Sequence, residues 1–114
     1  MKNLVEPSLL ALRPLPQAEA VCVLLRAEAH VDADEDVEWL LNDLALRVRA
    51  DEPGCTSYVV TRMMGSREHF AVHARFANWD AFNAHAETPH MERVLPRLTA
   101  LLATPVSMEL FLEL

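Results

Sequence analysis

The sequence has few positive charges, and this deficit limits the partners it can bind. Ten lysines and arginines stand against 17 aspartates and glutamates, which gives a formal net charge of -7. Nucleic acids are held largely by cationic side chains that neutralise phosphates, and a protein with this charge balance would repel them. We therefore expect no nucleic-acid partner.

Cysteines and long apolar runs are also scarce. The two cysteines, Cys22 and Cys55, do not form a Cys-x-x-Cys pair, so thiol-based zinc or redox chemistry has no support and we expect free thiols. No apolar run reaches the roughly 18 residues needed to span a bilayer. The N-terminus carries one lysine before Glu6 and Pro7 and does not resemble a secretory signal. The sequence predicts a cytoplasmic protein without a membrane partner.

Aromatic residues make up only 6% of the chain, whereas the hydrophobic share is 52%, which indicates an aliphatic core. The length of 114 residues suits one domain. Pro7, Pro14 and Pro16 would interrupt regular structure near the start. We interpret residues 1–19 as an extended arm and residues 20–114 as the domain.

Hydrophobic periodicity predicts a strand and then a helix in the first half of the domain. Residues 20–31 alternate as a strand does, with apolar residues on both faces in its first half. Asp32 or Asp34 is a suitable N-cap for the following helix. The apolar stripe of that helix has a 3.6-residue period and consists of Val37, Leu40, Leu41, Leu44 and Val48.

A hairpin follows this helix. Pro53 cannot continue the helix and Gly54 can take a left-handed cap conformation, so the helix should close there and release a strand near Cys55. Gly65 lies in the expected turn, and the next strand begins at His69 with alternating apolar residues.

The last third of the chain predicts helical segments and a final strand. Asn78 should cap a short helix, and Thr88 with its following proline should restart the helix. Pro96 should kink the second segment or begin a new one. Residues 106–114 alternate cleanly as a strand.

The order of elements is β-α-β-β-α-β, so we predict an α+β fold of the ferredoxin-like type with an antiparallel sheet. Right-handed crossovers place the helices on one face of that sheet and leave the other face bare. Because the strands carry apolar residues on both faces, we expect a homodimer that presses sheet against sheet.

Five histidines raise the question of a metal site. His69 and His73 lie four residues apart on a strand, about 13 Å from each other, which is too far to share one ion. His85 and His90 flank a helix break and could converge. No third ligand has an obvious spacing, so the sequence predicts no metal. Both histidines also have a structural interpretation, His85 as a hydrogen bond across the helix break and His90 as packing.

One stretch resembles a known family. Its Glu52-Pro-Gly-Cys55 segment, Tyr58, hairpin, Trp79 at a helix start and His85-x-x-Thr-Pro-His90 are similar to the antibiotic biosynthesis monooxygenases, over about residues 20–114. The resemblance implies a dimeric α+β barrel with a cofactor-free pocket between sheet and helices. Members of this family include quinol and anthrone monooxygenases, isomerases of signal molecules and haem degraders.

The resemblance also implies a reaction. A base would deprotonate a small aromatic quinol or an anthrone-like substrate, and the resulting anion would react directly with O2. Histidine suits the base because its unperturbed pKa of about 6.5 lies near neutral pH. The residues implied as catalytic are His85, Tyr58 and Asn78. Those implied as substrate-binding are Phe76, Arg75, Arg62, Trp79 and His90.

Two positions depart from the family pattern. Many relatives carry Glu and Trp where this chain has Ala74 and Phe76. The haem-degrading activity is therefore the least supported. Two alternatives to the monooxygenase stay open, a catalytically silent small-molecule-binding or stress-responsive barrel and an isomerase of a small signal molecule. The isomerase would need a cationic pocket built from the two arginines.

Overall fold

The computed structural model describes residues 19–114. The predicted extended arm therefore lies, apart from Glu19, outside the described residues.

Four strands and three helices make up the described chain. They are β1 (Val21–Glu28), α1 (Asp34–Asp51), β2 (Cys55–Arg62), β3 (His69–Phe76), α2 (Trp79–Ala86), α3 (Pro89–Leu101) and β4 (Ser107–Leu112). The strand order in the sheet is β2-β3-β1-β4, and every neighbouring pair is antiparallel. This topology confirms the ferredoxin-like α+β prediction. The second crossover contains two helices, α2 and α3, which meet at Thr88.

The helices pack against one face of the sheet. Along β3 the apolar side chains alternate toward this face and are buried, while His69 and His73 point to the opposite face. The predicted stripe of α1 is fully buried against them. The core residues of largest volume that are almost completely buried are Phe76, Leu41, Val21, Val37 and Val48. The alternation read from the sequence therefore identified the core correctly.

Two predicted local details were wrong. Neither Asp32 nor Asp34 caps α1: the N-cap is Ala33, and Asp32 adopts a left-handed φ of 72° in the turn before it. Gly54 does not take the left-handed conformation, since the positive φ among the glycines belongs to Gly65, at 81°. Gly54 is required for a different reason, because an added Cβ there would lie 2.7 Å from the Cβ of Ala81 on α2.

Pro96 does not begin a new segment. It lies inside α3, which continues from Pro89 to Leu101 as one helix. Within residues 19–114, no helix is both long and apolar enough to cross a membrane.

The face of the sheet that the helices leave uncovered is less apolar than expected. It carries two close ion pairs, Arg26 with Glu109 and Arg75 with Glu113, each at 2.6 Å. Within the sheet, the exposed large apolar side chains lie mainly on β4. Its side chains remain substantially exposed on both faces of the strand: Met108 (52%), Leu110 (41%), Phe111 (52%) and Leu112 (40%).

Candidate functional site

Three titratable side chains from three different segments meet beneath α2 and α3. The Glu52 carboxylate lies 2.9 Å from Nδ1 of His85 and 2.5 Å from Nε2 of His90. All three side chains are at most 10% exposed. A carboxylate removed from water in this way is stable only when its oxygens are hydrogen-bonded, and the two imidazoles supply those bonds. We call these three residues the Glu52 cluster.

Hydrogen bonds of its own backbone N–H and carbonyl hold Glu52 in place. It is the C-cap of α1, and its N–H donates to the carbonyl of Val48 at 3.0 Å. Its own carbonyl accepts from the N–H of Cys55 at 3.0 Å, which closes a tight turn with Pro53 in its second position. Because Pro53 cannot extend the helix, the chain turns at this point and the Glu52 side chain is directed toward α2.

The two histidines are positioned by two helix caps. Asn78 accepts the N–H of Ala81 at 2.9 Å through its side-chain oxygen, and this bond starts α2 so that His85 faces inward. Thr88 then connects the helices, because its hydroxyl donates to the carbonyl of His85 at 2.9 Å and accepts from the N–H of Met91 at 3.3 Å. Thr88 therefore fixes the end of α2 and the start of α3, where His90 lies. Both caps were predicted from the sequence.

The hydrogen bonds of the Glu52 cluster select the ring nitrogens that carry protons. An ionised carboxylate can only accept, so Nδ1 of His85 and Nε2 of His90 must each donate to Glu52. In a neutral imidazole this assignment leaves Nε2 of His85 with a free lone pair. The arrangement can therefore hold a proton acceptor whose protonated form is stabilised by the adjacent carboxylate.

Aromatic rings surround the His85 imidazole. Its ring centroid lies 5.1 Å from that of Phe76 and 5.9 Å from that of Tyr58. Phe82 contacts Phe76 edge-on at 5.6 Å, and Trp79 contacts Phe82 at 5.5 Å. A continuous row of rings thus leads from half-buried Trp79 to the buried imidazole, and it offers stacking surfaces to a flat aromatic molecule.

The two neutral acids near this row stay protonated at neutral pH. Burial raises the pKa of the Tyr58 phenol, and Cys55, once its thiol is ionised at high pH, and Glu52 raise that pKa further against the opposing effect of Arg49. Burial also raises the pKa of the Cys55 thiol. Tyr58 can thus donate a hydrogen bond but is not a phenolate base, and Cys55 is not a ready nucleophile.

The structure brings only some of the predicted site residues together. His85, His90, Tyr58 and Phe76 are neighbours, and Trp79 joins them through Phe82. Asn78 lies at the start of the same helix, where its side-chain oxygen is used for the cap.

Neither predicted arginine lies in the site. Arg62 is at the far end of β2, where it pairs with Glu38 at 2.7 Å and lies over the Phe70 ring. Arg75 points to the uncovered face of the sheet, because it alternates with the inward-facing Phe76. There it binds Glu113, and this hydrogen bond lowers the pKa of that carboxyl.

The sequence did not identify Glu52 as a site residue. Glu52 is 33 residues from His85 and 38 from His90, so no short spacing connects it to either histidine. The available signal was its position just before Pro53, where a helix must end. The prediction that no third ligand accompanies His85 and His90 rested on spacing alone, and the structure supplies Glu52 as a third side chain of suitable chemistry.

The Glu52 cluster is buried in the single chain, with its three side chains at most 10% exposed. Three surface grooves are lined by neither histidine of the cluster: one near His69, one beside Trp39 and one along the outer edge of β2, which Tyr58 and Cys55 help to line. A substrate that reaches His85 therefore requires displacement of side chains, and the half-buried Trp79 and Phe82 are the nearest outer members of the aromatic row.

Comparisons with solved structures place this fold among known proteins. A candidate antibiotic biosynthesis monooxygenase of Caulobacter crescentus superposes with a TM-score of 0.84 at 22% identity, over 94% of this chain and 98% of that one. Rv0793 of Mycobacterium tuberculosis superposes with a TM-score of 0.78 at 24% identity, over 83% of this chain and 95% of that one. SnoaB of Streptomyces nogalater, a cofactor-independent oxygenase, superposes with a TM-score of 0.72 at 22% identity, over 82% of this chain and 92% of that one. At these identities the similarity shows the fold alone.

The family is identified by a match of the sequence. No match is found among curated proteins. The family model described as antibiotic biosynthesis monooxygenase matches residues 20–97, which is most of the chain. That match includes the whole Glu52 cluster and the aromatic row beside it. The chain therefore belongs to the antibiotic biosynthesis monooxygenase family.

Proposed function

We propose that the protein is a monooxygenase that uses no cofactor and oxidises a small aromatic quinol or anthrone-like molecule with O2. The observation that carries this proposal is the buried Glu52–His85 pair, in which the carboxylate lies 2.9 Å from Nδ1 beside a row of aromatic rings. Membership of the family supports oxygen chemistry on a small molecule, and the pair supplies the base that such chemistry needs.

The proposed reaction begins with proton transfer to Nε2 of His85. Glu52 holds the imidazole through Nδ1 and stabilises the positive charge that develops on it. The deprotonated substrate is an electron-rich anion that reduces O2 directly. One oxygen atom enters the product and the other leaves as water, so the substrate supplies every electron that O2 accepts.

The surrounding residues take different roles from those first expected. Tyr58 remains protonated, so its hydroxyl can donate to the oxyanion that forms on the substrate. Trp79 and Phe82 offer stacking surface to the substrate, whereas Phe76 is only 1% exposed and supports the imidazole from behind. His90 orients Glu52 and is not required to touch the substrate. Asn78 acts by starting the helix that carries His85.

We expect the functional unit to be a homodimer. The exposed apolar side chains of β4 give one chain an uncovered apolar strip at the edge of its sheet. A second copy would cover that strip and remove an unpaired sheet edge. The ion pairs of the uncovered face would then lie at or near the interface, where complementary charge fixes orientation.

Oxygen uptake tests the proposed reaction. Protein freed of metal and flavin is mixed with a panel of hydroquinones and anthrones, and O2 consumption is followed with an electrode. We expect at least one substrate to be consumed well above its uncatalysed rate. Consumption at the background rate for the whole panel, together with tight binding of the same compounds, would identify a silent binding protein instead.

The isomerase alternative loses its expected support. A phosphorylated sugar-like signal would need cationic side chains beside the base. Arg62 and Arg75 are bound to Glu38 and Glu113, away from the Glu52 cluster.

A further inference from the structure

We propose that the Glu52 cluster is also a binding site for a transition-metal dication of the zinc type, and that the bound metal inhibits the oxygenase. The metal site rests only on the geometry of the cluster. The inhibition rests on the proposed function as well.

The three ligand atoms lie near the spacing that one shared ion requires. Nδ1 of His85, Nε2 of His90 and a Glu52 oxygen all lie within 4.8 Å of one another. Metal–ligand bonds of about 2.0–2.2 Å in a tetrahedral site put neighbouring ligand atoms about 3.3–3.6 Å apart. The contacts of 2.9 Å and 2.5 Å to Glu52 therefore need to open, and the widest separation of up to 4.8 Å needs to close, by roughly 1 Å. Side-chain torsions can supply that change without moving the helices.

The donor set selects the class of metal. Two imidazoles with one carboxylate suit zinc, cobalt, iron and nickel, whereas magnesium and calcium prefer sites made of oxygen ligands. Three protein ligands also leave coordination positions for water or another small ligand. The Cys55 thiol is not a member of the cluster, and its sulfur donates to the carbonyl of Ser57 instead.

The position of the cluster favours capture of an ion once it arrives. The ligands come from the end of α1, from α2 and from the start of α3, and all three attachment points are fixed by caps or turns. The cluster is buried and combines one carboxylate with two imidazoles, and a dication would compensate a buried carboxylate charge better than two N–H groups do.

Metal binding changes the tautomer of His85. A metal on Nδ1 displaces the proton from that nitrogen, and in the neutral ring the proton moves to Nε2. Nε2 then carries hydrogen and has no lone pair for a substrate proton. The same three residues can therefore be an active base when metal-free and inactive when metal is bound.

Cobalt is the probe for the site, because Co2+ replaces Zn2+ and has visible absorption bands that report its ligands. We expect metal-free protein to bind one equivalent of Co2+ with the bands of a four- or five-coordinate ion, and Zn2+ to displace it. Glu52→Gln and His90→Gln should each abolish this stoichiometric binding of Co2+. His69→Gln and His73→Gln are matched controls on exposed histidines of β3 and should retain it.

A second measurement does not depend on any variant. Bound Co2+ shifts the proton resonances of its histidine ligands, so the NMR spectrum of the wild-type protein should show two shifted imidazoles. Absence of stoichiometric Co2+ binding to the wild-type protein, or cobalt bands that persist in both Glu52→Gln and His90→Gln, would overturn the site.

Inhibition by the metal is measured in an experiment separate from the cobalt titration. With a substrate from the oxygen-uptake panel, one equivalent of Zn2+ should stop O2 consumption, and EDTA should restore it. The His69→Gln control should respond as the wild type does. Uptake that is unchanged by bound zinc would overturn the inhibition while leaving the metal site intact. If no substrate is oxidised at all, the proposed function fails, and the cobalt experiment still decides the site.

Discussion

The Cβ atom that an alanine would add at Gly54 lies 2.7 Å from the Cβ of Ala81. The turn that carries Glu52 therefore touches the first turn of α2, and His85 lies one helical turn further along. This contact packs the turn that carries Glu52 against the helix that carries His85. The glycine is required by that close approach and not by its backbone conformation.

Gly54→Ala should destabilise the protein through this contact. Overpacking of this kind costs about 1–3 kcal/mol. Ala81→Gly alone should cost about 1 kcal/mol, since glycine is a poor helix residue. In the double variant the clash is absent, so its loss of unfolding free energy should be smaller than the sum of the two single losses. Urea denaturation of the four proteins measures this coupling, and additive losses would show that the two residues do not touch.

Stability at alkaline pH should depend on Tyr58. Burial raises the pKa of its phenol above the unfolded value of about 10. The folded state therefore holds this proton more tightly, and the contribution to stability is complete below pH 10 and is lost as the pH rises further. Wild-type unfolding free energy should fall above about pH 10 more steeply than that of Tyr58→Phe.

The same residue gives a direct spectroscopic check. Tyr58 is the chain's one tyrosine, so tyrosinate absorbance reports on it alone. We expect this absorbance to be absent from the folded protein at about pH 11 and to appear together with unfolding. Urea-unfolded protein is the control and should titrate near pH 10. Ionisation near pH 10 in a protein that is still folded would contradict the burial of the phenol.

The apolar strip on β4 should hold the homodimer together. Leu110→Glu places a charge in the strip and should shift the protein from dimer to monomer at micromolar concentration, because a buried unpaired carboxylate is costly. Met64→Glu is the matched control in the hairpin turn, where the side chain is 96% exposed. Light scattering after size exclusion gives both masses. A wild-type monomer, or a Leu110→Glu dimer of unchanged affinity, would contradict the prediction.

Local signals in the sequence were sufficient for the fold. The alternation of β3, the stripe of α1 and the caps at Asn78 and Thr88 each depend on residues within a few positions of one another. Such patterns are visible in a single sequence because strand and helix periods repeat locally. The order of the elements then left few possible topologies.

The candidate site depended on contacts that no local pattern contains. Glu52 reaches His85 across 33 positions, and the clash that fixes Gly54 comes from Ala81 on a different helix. The resemblance implied both Arg75 and Phe76 as substrate-binding residues, yet adjacent residues of a strand face opposite sides. The resemblance identified the two histidines, while the carboxylate between them became visible only in three dimensions.

The claim that Glu52 and His85 act together as the base is tested most directly by a double-mutant cycle on O2 uptake with the best substrate of the panel. His85→Gln should lower the turnover rate by about 10²- to 10⁴-fold, the usual contribution of a general base. Glu52→Gln should also slow turnover, and the double variant should be no slower than His85→Gln, because residues that act as a unit are not additive. His69→Gln should keep the wild-type rate. Full turnover in His85→Gln would contradict the account.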